Sequence, residues 1–204
     1  MYTHRDLLDL VIENDKKFTF VAGELEVLVE ERGDIAIISI RGTEGDRMFS
    51  EGGWRDVIRD LLFIPYSPHW LKGIGHYGFL RGAEIVLDKV GDEVSKDKRL
   101  VFTGHSLGGA VGLACTLLAE TRGWKVEEFV GFGTPRVFYT ERKKINPNVK
   151  YTLYRNGKDI VPKIPFLLGR RIVKETRYGK SRRRWPNVSD HRLKHYDRNF
   201  KDVS

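Results

Sequence analysis

The chain of 204 residues contains a single cysteine, Cys115, so no disulfide can form within it. Cys115 falls in the apolar stretch Leu107 to Thr121, where it is expected to pack as a small hydrophobe rather than act as a thiol nucleophile. No uninterrupted apolar run approaches the roughly 20 residues that span a bilayer as a helix. Met1 to Leu10 show no basic start followed by an apolar run. No signal peptide is legible there, so a cytoplasmic location, or release without a signal peptide, is expected. Internal repeats, low-complexity tracts and linkers are also missing. Residues 1–204 are therefore expected to form one domain. Hydrophobic residues make up 40% and charged residues 31%, too apolar a balance for disorder.

Acidic residues are scarce in the last quarter. Residues 155–204 hold 15 Lys/Arg against 5 Asp/Glu, while the rest of the chain holds 21 against 23. The whole basic excess behind the net charge of +8 therefore lies near the C-terminus. Such a patch suits anionic lipid headgroups, nucleic acid or anionic cell-wall polymers; otherwise it is a solvated basic face.

What is present is an alternation of strand and helix patterns. Thr3 to Asn14 reads as an amphipathic helix. Leu25 to Glu30 alternates as a half-buried strand, and Asp34 to Ile40 is a more apolar, β-branched strand. Asp56 to Leu62 suits a short helix. His76-Tyr77-Gly78-Phe79 opens a helix that runs towards Val94. Strands are expected at 100–104, 129–132 and 149–154, and a short one over Arg170 to Arg177. Ser189 is expected to cap a last amphipathic helix. This order predicts an α/β fold with a mostly parallel central sheet, helices on both faces, and an antiparallel start.

Leu100 to Gly109 carries the first chemical signal. A buried strand ends at Gly104, an apolar helix begins at Leu107, and Ser106 stands between them inside Gly-x-Ser-x-Gly. A serine on such a sharp turn has its hydroxyl pushed out of the sheet, as in the nucleophile elbow of α/β hydrolases. A serine hydroxyl is a weak nucleophile at neutral pH. It needs a histidine base, and an acid to orient that histidine. In the α/β-hydrolase order both follow the serine. Asp159, in a Gly- and Pro-containing loop after the strand at 149–154, is the best-placed acid. Only His191 and His195 come after it, and the loop–helix junction favours His191. The developing oxyanion needs preset donors. The Leu107 N–H at the helix start is one candidate, and Thr43, after the early strand, is the second.

Several separated patterns together resemble the class 3 lipase family, the fungal triacylglycerol-lipase type of α/β hydrolase. They are Ile37-Ile38-Ser39-Ile40-Arg41-Gly42-Thr43, His76-Tyr77-Gly78-Phe79, Gly104-His105-Ser106-Leu107-Gly108-Gly109 and Phe132-Gly133-Thr134-Pro135-Arg136. To these are added Asn156, Asp159, Val161, Pro162 and Pro165, and then Asp190-His191 with Tyr196. The resemblance covers roughly residues 20–196. It implies Ser106 as nucleophile, Asp159 as acid, His191 as base, and Thr43 with the Leu107 N–H as oxyanion hole. It also implies no metal and no organic cofactor.

The family's lid would fall at about residues 46–74, with Phe63, Ile64, Tyr66, Trp70 and Leu71 as its apolar face. A packed connecting loop whose aromatics belong to the core is the other reading of that segment. The chain is shorter and poorer in cysteine than secreted fungal members, so a small bacterial or viral relative is the expected comparison. The implied activity is a serine carboxylester hydrolase acting on lipid esters, of triacylglycerol lipase or phospholipase-like esterase type. The basic region adds a transient contact with an anionic membrane surface. A membrane- or nucleic-acid-binding module on the same scaffold, or acyl transfer to an acceptor other than water, are the alternatives. A missing triad member would favour the binding module, and none is missing.

Overall fold

The computed structural model describes residues 1–42, 64–141, 145–165, 173–181 and 184–200. Strand β3 (Ile35–Gly42) shows why the sheet must be covered twice. Ala36, Ile38 and Ile40 point to one face and Ile35 and Ile37 to the other, and all five are buried. The first face packs with Phe102 and Phe129 under α2 (Tyr77–Glu93) and α3 (Leu107–Thr121). The second packs with Val101, Val130 and Phe132 under α1 (His4–Glu13) and α4 (Leu193–Phe200).

The remaining strands of this sheet are β1 (Phe20–Ala22), β2 (Leu25–Arg32), β6 (Arg99–His105), β7 (Lys125–Phe132), β9 (Lys150–Asn156) and β10 (Glu175–Tyr178). Their order is β1-β2-β3-β6-β7-β9-β10. β1, β2 and β3 pair antiparallel, and every pairing from β3 to β10 is parallel. A hydrogen bond from Arg99 N–H to Asp34 O sets the starts of β6 and β3 side by side. α2 ends just before β6 and is 17 residues long, or about 25 Å at 1.5 Å per residue. Its N-terminus therefore reaches the carboxyl end of the sheet, where ligand sites of parallel sheets gather.

Local chemistry explains the helix bounds. Thr3 forms a capping box with Asp6: its hydroxyl accepts the Asp6 N–H, and the Asp6 carboxylate accepts the Thr3 N–H at 2.7 Å. Asn14 closes α1, and its side-chain amide donates to Ser39 O at 2.9 Å, tying the helix to β3. α3 is buried on nearly all sides, which suits its unbroken apolar sequence. Cys115 lies inside it, and burial raises its thiol above the ordinary range, so it packs as a hydrophobe.

A small second sheet is absent from the sequence-based expectation. It joins β4 (Pro65–Tyr66), β5 (Gly73–His76) and β8 (Phe138–Glu141), all antiparallel. These strands are two to four residues long, too short to show an alternating pattern. They organise part of the expected lid. Leu71 is buried in the core, Trp70 Nε1 donates to Glu84 Oε1 at 2.8 Å, and the Tyr66 ring meets Tyr77 edge-on at 5.3 Å. Ile64 is exposed. Phe63, the rest of the segment before it, the expected helix at 56–62 and Thr43 lie outside the described residues.

Two further expectations are corrected. Ser189 does not cap the last helix. Ser189–His191 form a 3-10 turn, Arg192 breaks it with an extended ψ of 134°, and α4 begins at Leu193. The Asn187 side chain accepts the Asp190 N–H at 2.9 Å, which holds the 3-10 turn and not the helix. The strand expected over Arg170–Arg177 is β10, at Glu175–Tyr178, with 166–172 outside the described residues. Among the described residues no helix is long and apolar enough to cross a membrane.

Candidate active site

Ser106 joins β6 to α3 with φ 53° and ψ −120°. It is the only non-glycine residue with positive φ among those described. Such a conformation costs about 1–3 kcal/mol and persists only where its surroundings enforce it. Two features enforce it here. The Ser106 N–H donates to Phe132 O at 2.9 Å, anchoring the turn to β7. Gly108 lets the helix come so close to β3 that a Cβ there would lie 1.8 Å from Ile40 O.

The turn delivers the Ser106 hydroxyl to His191. Ser106 Oγ lies 2.7 Å from His191 Nε2, and His191 Nδ1 lies 2.7 Å from Asp159 Oδ2. The carboxylate can only accept, so Nδ1 carries the proton and Nε2 is left to accept from the serine. All three side chains are buried, Asp159 completely. The Asp159 carboxylate has two more donors: the Val161 N–H to Oδ1 at 2.9 Å and the Tyr196 hydroxyl to Oδ2 at 2.6 Å. A buried carboxylate needs such donors to remain charged. Burial and the Asp159 charge hold the Tyr196 hydroxyl well above its ordinary pKa, so it stays a donor.

The loops that carry the acid and the histidine are laced together. Asn187 N–H donates to Lys158 O at 3.0 Å, and Ile160 N–H to Asn187 O at 3.2 Å, setting Asn187 beside Asp159. Asn156 Nδ2 donates to Asp190 O, and the Asp190 carboxylate accepts the Lys158 N–H, both at 2.9 Å. Arg155 Nε donates to Asp159 O at 2.8 Å. The Phe132-to-Arg136 pattern gains a physical reason at Gly133. Its φ is 63°, and a Cβ there would lie 2.8 Å from the His191 ring.

The structure therefore brings Ser106, His191 and Asp159 together. His195 lies further on, in α4, and both ring contacts that link the serine to the acid are made by His191. Leu107 is the first residue of α3, so its N–H has no intrahelical partner by geometry and points outward at the positive end of the helix. Thr43 lies outside the described residues. Among those residues no group of three or more His, Cys, Asp or Glu could hold a metal ion.

Two participants were not assigned from sequence. Tyr196 was part of a pattern with no role attached. His105 is part of the elbow pattern with no role of its own, yet its Nε2 donates to His191 O at 2.7 Å and its ring lies 4.6 Å from the His191 ring. His105 is boxed in by His191 and Tyr196. Loss of hydration, with His191 beside it, holds its pKa well below the ordinary value of 6.5.

A pH dependence of stability follows from His105. Below about pH 6.5 the unfolded chain binds a proton there that the folded chain refuses. Stability is therefore full above that pH. It is expected to fall by up to about 1.4 kcal/mol per pH unit as acid is added, until the folded-state pKa is reached. Urea midpoints of the wild type and His105→Gln across this range measure it. The glutamine can still donate to His191 O but does not titrate, so the wild type should show the steeper acid-side loss.

The lipase (class 3) family model matches residues 37–169. The chain belongs to the class 3 lipase family. Its fold is that of solved lipases. It is 24% identical to the Rhizomucor miehei triacylglyceride lipase, with a TM-score of 0.58 over 80% of this chain and 64% of that one. To a lipase from Yarrowia lipolytica it is 19% identical, with a TM-score of 0.58 over 82% and 66%. A triacylglycerol lipase whose catalytic centre is formed by a serine protease triad is 23% identical, with a TM-score of 0.59 over 86% and 77%. These likenesses establish the α/β-hydrolase fold for this class 3 lipase family member. The chain spans less than two thirds of the length of two of these three relatives, 64% for the Rhizomucor enzyme and 66% for the Yarrowia one.

Proposed function

We propose that the protein is a carboxylester hydrolase acting on lipid esters through an acyl-enzyme on Ser106. The observation that carries this reading is the continuous Ser106–His191–Asp159 hydrogen-bond chain, 2.7 Å at each link. Ser106 Oγ attacks the ester carbonyl carbon while its proton passes to His191 Nε2. The imidazolium so formed is stabilised by the Asp159 charge through Nδ1. The carbonyl oxygen becomes an oxyanion, received by the Leu107 N–H and by Thr43, next after β3 in the sequence. Collapse expels the alcohol, which takes the proton from Nε2. Water then attacks the acyl carbonyl with His191 as base, and the carboxylic acid leaves as Ser106 regains its proton. The serine protease triad of the triacylglycerol lipase that shares this fold supports the same assignment.

Lipid esters are the favoured substrates because the chain's family is that of class 3 lipases. The test is hydrolysis of esters over a series of acyl lengths, with Ser106→Ala as control. The wild type is expected to turn them over. Ser106→Ala should lose on the order of 10⁴- to 10⁶-fold in kcat, the range spanned when single triad members are removed. Undiminished activity in that variant would falsify the assignment.

A further inference from the structure

We propose that Lys180, Arg184 and Trp185, with Ile64 and Tyr77 at the same end of the sheet, form a docking face for an anionic lipid surface. The proposal rests on the reading of the protein as a lipid-ester hydrolase. It adds to that reading where and how the interface is met.

Position is the first argument. Tyr178, the last residue of β10, pairs with Asn156, the last residue of β9, so Lys180 lies just past the carboxyl ends of both strands. Trp185 stands two residues before Asn187, which sits beside Asp159. The Lys158 ammonium reaches back to Arg184 O. The segment that presents Trp185 is thus the one that runs on to His191. Tyr77 opens α2 at this same end, and its N–H donates to Ile64 O at 2.8 Å.

Exposure is the second argument. Trp185 is 73% exposed, Ile64 58% and Tyr77 44%. Single exposed hydrophobics are ordinary on a protein surface. Here a tryptophan lies among cations, with the Arg184 guanidinium 5.9 Å from its ring centroid. Tryptophan beside basic residues is the arrangement that suits a headgroup layer, with the indole entering the boundary and the cations meeting phosphates.

Charge is the third. Among the described residues of the last quarter, Lys174, Arg177, Lys180, Arg184, Lys194 and Arg198 are exposed. The acids there are turned inward or paired. Asp159 and Asp190 are buried, Glu175 faces Arg155 at 3.8 Å, and Asp197 bridges Arg5 at 2.6 Å. What meets solvent is nearly all cationic. Nucleic acid would match that charge but would leave the aliphatic Ile64 and its neighbour Tyr77 without a role. An anionic lipid surface uses both kinds of group.

The test takes the full chain carrying Ser106→Ala, which can bind without consuming lipid. Its sedimentation with phosphatidylcholine vesicles, with and without phosphatidylglycerol, is measured at low and high salt. Binding is expected only with phosphatidylglycerol, and should weaken with salt. Adding Trp185→Ala, or Lys180→Glu with Arg184→Glu, should lower vesicle affinity by at least about tenfold. In a chain with Ser106 intact, these same substitutions should leave turnover of a soluble short-chain ester unchanged. Equal binding to both vesicle types, binding indifferent to these substitutions, or tighter binding to duplex DNA than to anionic vesicles would overturn the docking face. Failure of the wild type to hydrolyse any ester would instead overturn the proposed function. The vesicle measurement on Ser106→Ala would still decide the docking.

Discussion

His191→Ala is expected to lower ester turnover by on the order of 10⁴- to 10⁶-fold, whereas His195→Ala should stay within about twofold of wild type. The two histidines are four residues apart and were close rivals on spacing alone. The structure separates them by a backbone break. Arg192 leaves the 3-10 turn of Ser189–His191 with an extended ψ of 134°, so His191 ends a turn while His195 rides on α4. His191 Nε2 and Nδ1 each lie 2.7 Å from their partners, Ser106 Oγ and Asp159 Oδ2. Removing the ring deprives the serine of its base and leaves the buried Asp159 carboxylate with two neutral donors, Val161 N–H and Tyr196 OH. His191→Ala should therefore lose stability as well as rate, and the measurement must pair turnover with thermal unfolding. Activity lost while the folded fraction stays high identifies the base. Comparable losses in His195→Ala would show that the base is misassigned.

The sequence revealed those parts of the fold that repeat a pattern over enough residues. The helix expected from Thr3 to Asn14 is α1 with those two residues as its caps, and the helix expected from His76 towards Val94 is α2 with His76 and Val94 as its caps. The strands at 100–104, 129–132 and 149–154 are β6, β7 and β9, each a residue or more longer than its apolar centre. β1, β4, β5 and β8 were not legible, because two to four residues cannot show a period and their pairing is set by partners distant in sequence. The start of the last helix was misread for a related reason. Ser189 has the composition of a cap, but it opens a separate 3-10 turn, and the extended Arg192 puts the helix start at Leu193, beyond its reach.

The same division runs through the site. Ser106 was legible because glycine, strand and helix surround it locally. Asp159 and His191 were legible as a chain order and, more sharply, as a family resemblance. The Tyr196 hydroxyl on Asp159, and the His105 donation to His191 O across 86 positions, are contacts made only when β6, the acid loop and α4 meet. Nothing near either residue in the sequence signals them. The expected lid divided in the same way. Trp70 and Leu71 have the composition of a mobile apolar face, yet Leu71 is buried and Trp70 is bonded to Glu84 on α2.

Gly108→Ala is the substitution expected to damage the protein most for its size. A single methyl group would lie 1.8 Å from Ile40 O, 2.6 Å from Ile40 C and 3.2 Å from Arg41 Cα. These are backbone atoms of β3, the central strand paired with β2 on one side and β6 on the other, so they cannot swing aside as a side chain would. The helix and the strand must part instead. Overpacking in a well-filled core costs about 1–3 kcal/mol, and a clash with fixed backbone belongs at or above the top of that range. At about 2–4 °C per kcal/mol for a chain of this size, the melting temperature should fall by at least about 6 °C. Gly91→Ala provides the control. Gly91 lies in α2 with nothing within 4 Å of an added Cβ, so alanine there should be neutral or stabilise by up to about 1 kcal/mol. The two alanines add the same atom and differ only in what it meets. Gly108→Ala should also lose turnover beyond its loss of folded protein. The helix it pushes begins at Leu107, an expected oxyanion donor, which the clash would displace. A Gly108→Ala protein with unchanged melting temperature would show that β3 and α3 do not approach as closely as the turn at Ser106 requires.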